Sequence, residues 1–117
     1  MAFDYNEAVI LAYFNTDRAD DCQQRCEVGL ELLKDPQVRA HVTNPDGTLQ
    51  ESINCRNYLI NVVVGMKKDY DSANAILDRF VDDGLISAEE AVYRKESIKT
   101  FRLQRTFEGI FSDKRTS

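Results

Sequence analysis

Signals that begin α-helices recur along this 117-residue chain, and they constrain its fold more than any other feature of the sequence. Thr48–Glu51 and Ser87–Glu90 both have the form of a capping box, which satisfies backbone N–H groups at a helix start. Asp35–Pro36 places an N-cap aspartate before a proline at the first helical position. These signals predict an all-α fold, a helical bundle with a long C-terminal helix.

The same signals predict the order of five or six helices. Asp4 and Glu7 form an acidic variant of the capping box before the apolar run AVILAYF. Later boundaries are indicated by acidic residues in first turns and by the turn residues of TNPDGT. The expected segments are 4–14, a second helix ending at about Lys34, 36–42, a fourth from Thr48 to Lys67 or Lys68, a fifth from Asp69 or Asp71 to Asp83, and a last from Ser87 to about Phe111.

Two apolar runs leave an alternative open. AVILAYF and YLINVVVG are apolar on all sides, and the second is rich in β-branched residues, so each is also compatible with a buried strand. A pair of strands flanking NPDG would form a hairpin. We favour helices because the capping signals fit them and because a central helix of a bundle is also apolar all round.

Length and composition indicate one soluble domain spanning residues 1–117, with residues 113–117 frayed. We expect helices two, four and six to form its core. No apolar run approaches the ~20 residues of a membrane span. The start MAFDYNEAV lacks the features of a signal peptide, and three cysteines do not suit a disulfide framework. A cytoplasmic location without membrane association is therefore expected.

The net charge of −5 is unevenly distributed. Residues 1–92 contain 17 acidic and 8 basic side chains, whereas residues 93–117 contain 3 acidic and 7 basic ones. An acidic chain that ends in a basic, aromatic segment indicates a contact, either within the molecule or with a partner.

The last helix is apolar on two opposite sides when its residues are placed at about 100° steps. Val92, Leu103, Phe107 and Ile110 fall within about 60° of one another, with Tyr93 and Phe111 beside them, and we assign this stripe to the core. Ile98 and Phe101 fall on nearly the opposite side, among basic residues. Three alternatives for what covers this second face stay open: the domain itself wraps both sides of the helix, a second protein chain docks there, or nucleic acid binds there. For a bound partner, the second face predicts the partner-binding residues Arg94, Lys95, Ile98, Phe101, Arg102 and Arg105.

Four residues have side chains that tetrahedral zinc accepts: Cys22, Cys26, His41 and Cys55. The common C-x₂-C knuckle is absent, and the cysteines continue the apolar stripe of their helix through Leu30 and Leu33. Buried free cysteine behaves as a small hydrophobic residue. We therefore predict no metal site and no cofactor, although the sequence leaves zinc binding open.

The segment around DDGLISAEE, within about Ile76 to Lys99, resembles the helical hairpin of the short C-terminal domain family. The resemblance implies two helices joined by a tight turn, and it adds no function.

Taken together, these patterns predict a small acidic protein–protein interaction module, such as an adaptor, inhibitor, immunity protein or assembly factor. It would act by occlusion or scaffolding, and self-associate as a homo-oligomer through its C-terminal helix. The alternative is an oligomeric nucleic-acid-binding regulator that uses the basic residues of that helix. No pocket-forming or catalytic motif appears, so the chain is not expected to be an enzyme.

Overall fold

Helices dominate the computed structural model, which describes the backbone of residues 1–116 and the side chains of residues 1–106. Across the described backbone there is no β-strand, only an isolated antiparallel bridge between Thr43 and Leu49. The α-helices are α1 (Ala2–Asn15), α2 (Ala19–Leu32), α3 (Pro36–His41), α4 (Asn54–Asn61), α5 (Tyr70–Asp82) and α6 (Ala88–Thr116). A π-helical turn, Val62–Met66, continues α4.

The predicted all-α class is confirmed. Both ambiguous apolar runs are helical, since AVILAYF lies in α1 and YLINVVVG lies in α4 and the π-helical turn. The hairpin considered around NPDG is reduced to the single bridge between Thr43 and Leu49.

The chain divides into two compact units, Met1–Asp69 and Tyr70–Ser117. The prediction of one domain over residues 1–117, frayed from 113 to 117, stays a prediction. For residues 107–116 the backbone is helical and the side chains lie outside the described part of the structure.

In the first unit, α1, α2 and α4 pack on one another. Fully buried residues from all three helices form the core, among them Phe3, Ile10, Cys22, Cys26, Cys55 and Leu59. The helices α2 and α4 meet closely at Gly29, where an added Cβ would lie 2.6 Å from the Cβ of Cys55. The expected core of helices two, four and six thus omitted α1.

The start of α4 differs from the prediction. The helix begins at Asn54, six positions after Thr48, whose hydroxyl hydrogen-bonds to Asp46 at 2.6 Å instead of capping a helix. The first N–H groups of α4 are satisfied by a side chain from α1: the Glu7 carboxylate accepts from the N–H groups of Asn54 at 2.7 Å and Cys55 at 2.8 Å. Glu7 therefore caps α4 and not its own helix, and α1 begins before Asp4.

Two predicted caps are confirmed. The Asp35 carboxylate accepts from the N–H of Gln37 at 2.8 Å, with Pro36 at the first position of α3. The Ser87 hydroxyl accepts from the N–H of Glu90 at 3.0 Å, at the start of α6.

The second unit contains a helical hairpin, as the sequence of residues 76–99 implies. The helix α5 ends at Asp82, and Gly84 adopts a left-handed conformation, with φ of 69°, that reverses the chain. The hairpin is antiparallel: Asp78 pairs with Lys95, and the ring of Tyr70 at the start of α5 lies 6.4 Å from that of Phe101.

Among the described residues, no helix combines the length and apolar character that crossing a bilayer requires.

Candidate protein interaction site

The two apolar faces of α6 are exchanged relative to the prediction. Ile98, assigned to an exposed face, is only 7% exposed, and Ala91 beside it is also buried. Val92, Tyr93 and Leu103, assigned to the core, are 62%, 69% and 52% exposed. The helix does have two opposite apolar faces, one buried and one exposed, but the assignment of each was wrong.

The contacts with α5 explain the exchange. Lys95 pairs with Asp78, Phe101 stacks near Tyr70, and Arg102 lies 3.9 Å from Asp71. Ile98 lies between these residues at helical spacing, so the same side of α6 is turned toward α5. Periodicity alone gives the angle between two stripes, and it does not say which stripe has a neighbouring helix.

All six predicted partner-binding residues lie on the side of α6 that faces α5, or at the edge of that side. Arg94 bonds to Glu90 of its own helix at 2.8 Å, and Lys95 is paired with Asp78. The guanidinium of Arg102 lies 5.4 Å from the Tyr70 ring, and that of Arg105 lies 5.8 Å from the Phe101 ring. Their charges and rings are used within the second unit, so binding of a partner by this set stays a prediction.

The opposite side of α6 is a more suitable binding surface. We call it the outward face and define it by Val92, Tyr93, Glu96, Thr100 and Leu103, all of which are exposed. A shallow, open depression runs beside it, lined by residues that include Tyr93, Thr100 and Gln104. Phe107, Ile110 and Phe111, which the sequence groups with this stripe, have side chains outside the described part of the structure.

A second exposed apolar surface, on α1, was missed by the sequence analysis. Met1, Tyr5 and Leu11 are exposed, and so are Ala8 and Ala12 between them. The run AVILAYF, which the sequence analysis described as apolar on all sides and compatible with a central helix or a buried strand, contributes Ala8, Leu11 and Ala12 to this surface. It is a partly covered helix whose other side supplies Phe3 and Ile10 to the core.

The four potential zinc ligands do not form a cluster. Cys22, Cys26 and Cys55 are fully buried, whereas His41 is exposed and bonds through its ring to Asp4 at 3.0 Å. Burial raises the pKa of all three thiols, which disfavours the thiolate that zinc binds. Within the described residues, no group of three or more His, Cys, Asp or Glu side chains is arranged so that it could hold a metal ion.

The Glu7 carboxylate is partly buried and has a structural role. Burial raises its pKa, and this effect outweighs the hydrogen bonds from the N–H groups of Cys55 and Asn54, which lower it. Its surroundings are the packed helices α1 and α4, and its oxygens are occupied by backbone donors. The arrangement is that of a structural cap.

Comparison with known proteins adds no family: no protein-family model, no curated protein and no solved structure matches this chain. The resemblance of residues 76–99 to the short C-terminal domain therefore rests on the hairpin pattern alone.

Proposed function

We propose that this protein is a protein–protein interaction module that binds through the outward face of α6. The observation that supports the proposal is the exposure of Val92, Tyr93 and Leu103 on one side of a helix whose opposite side is buried. Large apolar side chains grouped on a surface are typical of sites that a partner covers.

The energetic argument is that of apolar burial. Covering a fully exposed valine or leucine side chain is worth roughly 1.5–3 kcal/mol, and an interfacial tyrosine adds a large rigid contact area. Because these side chains already lose part of their surface within the chain, the gain on binding is smaller than that range for each. Several such residues together still supply the apolar centre that a specific interface requires.

The proposed mechanism involves binding alone and no catalytic step. A cytoplasmic adaptor, inhibitor, immunity protein or assembly factor would act by occluding or scaffolding its partner. The excess of acidic residues over positions 1–92 would speed encounter with a basic partner, while the apolar residues of the outward face would set the dissociation rate.

The nucleic-acid alternative is less well supported. Of the four basic residues it requires, Arg94 and Lys95 are engaged by carboxylates, and Arg102 lies near one. A phosphate backbone would have to compete with these pairs. The test is salt dependence: the logarithm of the binding constant for DNA or RNA should fall linearly with the logarithm of salt concentration. No retention on DNA or RNA at low salt would exclude this function.

Partner capture tests the proposed function. Immobilised protein is exposed to extract of the source cells, in wild-type form, as Val92→Asp/Leu103→Asp, and as Val28→Asp, a matched apolar-to-acidic change on α2. Val28 is 40% exposed and belongs to α2 in the first unit, so it is not one of the residues that define the outward face. We expect a partner bound by wild type and Val28→Asp and lost by the double variant, with helicity by circular dichroism unchanged in all three. Equal capture by the double variant would contradict the proposal.

A further inference from the structure

The sequence contains two Asp–Gly pairs, Asp46–Gly47 and Asp83–Gly84. An aspartate followed by glycine can react with its own main chain, because glycine has no Cβ to hinder its nitrogen. That nitrogen attacks the aspartate Cγ atom, a C–N bond forms, and the carboxyl hydroxyl leaves with the amide proton as water. Water then opens the cyclic imide at the main-chain carbonyl, which leaves the chain linked through the side chain as isoaspartate. The reaction needs no enzyme, oxidant or cofactor.

The Asp46–Gly47 pair lies in an exposed turn of the first unit. Asp46, Gly47 and Thr48 are all exposed, and nothing lies within 4 Å of a Cβ added at Gly47. The N–H of Gly47 donates to the carbonyl of Asn44 at 2.9 Å, and the N–H of Asn44 donates to the carbonyl of Thr48 at 2.7 Å. Because these bonds lie at the surface, a local fluctuation frees the Gly47 nitrogen without disturbing the helical core.

The Asp46 side chain is turned toward the main chain that follows it. Its carboxylate accepts from the Thr48 hydroxyl at 2.6 Å and from the Thr48 N–H at 3.0 Å, so the side chain passes over the Gly47 peptide group. The hydroxyl bond, and then the N–H bond, lower the pKa of Asp46 because they favour the ionised form. The imide forms from the neutral carboxyl group, whose hydroxyl leaves, so Thr48 restrains the reaction.

The Asp83–Gly84 pair is held by the end of a helix. Gly84 has the left-handed conformation that ends α5, with φ of 69°, and its N–H donates to the carbonyl of Val81 at 3.1 Å. The next residue, Leu85, is buried, and its N–H donates to the carbonyl of Phe80 at 2.8 Å. Imide formation would remove the Gly84 N–H and change the backbone at Asp83, so this helix cap has to open first.

We propose that Asp46–Gly47 is a site of spontaneous isoaspartate formation in this protein, and that Thr48 restrains the reaction there. The same dipeptide at 83–84 is protected by the cap of α5. Isoaspartate places one additional carbon atom in the main chain between Asp46 and Gly47, which breaks the bonds that close the turn. The altered segment lies between α3 and α4, outside both helices.

Incubation of the folded protein in water enriched in a heavy oxygen isotope tests the site, because opening of the imide adds one oxygen atom from the solvent. Digestion with trypsin in ordinary water then gives the two pairs in separate peptides, 40–56 and 80–94. Fragmentation mass spectrometry measures the label at each aspartate. We expect at least about tenfold more label at Asp46 than at Asp83, which corresponds to about 1.4 kcal/mol of additional local opening. In urea-unfolded protein, the control, the two should label at similar rates.

Two variants test the role of Thr48. Thr48→Val removes the hydroxyl bond and should increase the labelling rate at Asp46 about three- to tenfold, the usual range for one hydrogen bond. Thr48→Ser keeps a hydroxyl and should label at the wild-type rate. Equal label at Asp46 and Asp83 in the folded protein, or none at Asp46 while the unfolded control labels, would overturn the site. Equal rates for the two variants would overturn the restraint by Thr48.

Discussion

At the scale of single residues, Gly29 lies at a close approach of two helices that has no room for a larger side chain. It lies where α2 meets α4, and a methyl group there would overlap the Cβ of Cys55 at 2.6 Å and approach its Sγ at 3.0 Å. Contacts below 3.0 Å between carbon atoms force one of the two helices to move. Replacing the hydrogen with a methyl group is therefore an overpacking substitution in the first unit's core.

We expect Gly29→Ala to lower the free energy of unfolding by about 1–3 kcal/mol, the usual cost of overpacking. The matched control is Gly65→Ala in the π-helical turn, where nothing lies within 4 Å of an added Cβ. There the lower backbone entropy of alanine in the unfolded chain should give a gain of up to about 1 kcal/mol. Urea unfolding measures the change in the free energy of unfolding for each variant. Equal changes for Gly29→Ala and Gly65→Ala would contradict the close approach of α2 and α4 at Gly29.

Glu7 is the residue at which stability should depend unusually on pH. Burial raises the pKa of its carboxyl in the folded chain, so the folded state binds this proton more tightly than the unfolded state does. Its contribution to stability is therefore greatest below the ordinary carboxyl pKa of 4.5 and is lost as the pH rises through the raised value. This is the reverse of the trend for a carboxylate held in an ion pair.

Glu7→Gln removes the titration and should remove this trend. We expect the free energy of unfolding of wild type, relative to Glu7→Gln, to increase as the pH falls from 7 toward 4.5. Urea titrations at several pH values measure the difference. Glu51→Gln removes a carboxyl from an exposed position and serves as control. A wild-type advantage that shrinks on acidification would show that the backbone hydrogen bonds outweigh burial.

At the scale of elements, the start of α6 depends on one serine. The Ser87 hydroxyl accepts from the N–H of Glu90, whereas Ser97, ten residues later in the same helix, bonds to the carbonyl of Tyr93 and caps nothing. We expect Ser87→Ala to cost about 1 kcal/mol of stability, the usual value of an N-cap. Ser97→Ala should be neutral or slightly stabilising, because alanine is the better helix former. Thermal unfolding followed by circular dichroism compares the two.

The helix starts also show which features can be predicted from the sequence. The caps at Asp35 and Ser87 were predictable because donor and acceptor lie within three residues of each other. The start of α4 was not, because its cap is Glu7, 47 residues away from Asn54, and only tertiary packing brings the two together. A local capping box at Thr48 was available in the sequence and is not used.

The candidate site was half predictable for a similar reason. Helical periodicity reveals that α6 has two opposite apolar stripes, and the structure agrees. Which stripe is buried depends on where α5 lies, and the ion pair of Lys95 with Asp78 and the contact of Phe101 with Tyr70 place α5 against the stripe of Ile98. The sequence signal that could have indicated this is Lys95, three residues before Ile98 on the same side of α6, because it can pair with the acidic Asp78 of α5.

At the scale of the whole molecule, the uneven charge distribution has a local explanation. Basic residues of α6 lie against acids of α5, as Lys95 does with Asp78, so part of the basic segment is neutralised inside the second unit. The apolar outward face, and not the basic edge, is therefore the surface through which we propose that a partner binds.

Association through that face should make the stability of the whole protein depend on its concentration. If folded chains pair and unfolded chains do not, mass action stabilises the folded state as concentration rises. For a chain of this size, we expect the midpoint of thermal unfolding to rise by about 2–4 °C for each tenfold increase in concentration. Val28→Asp should keep this dependence and Val92→Asp/Leu103→Asp should lose it. A wild-type midpoint that is independent of concentration would exclude self-association through the outward face over the concentrations measured.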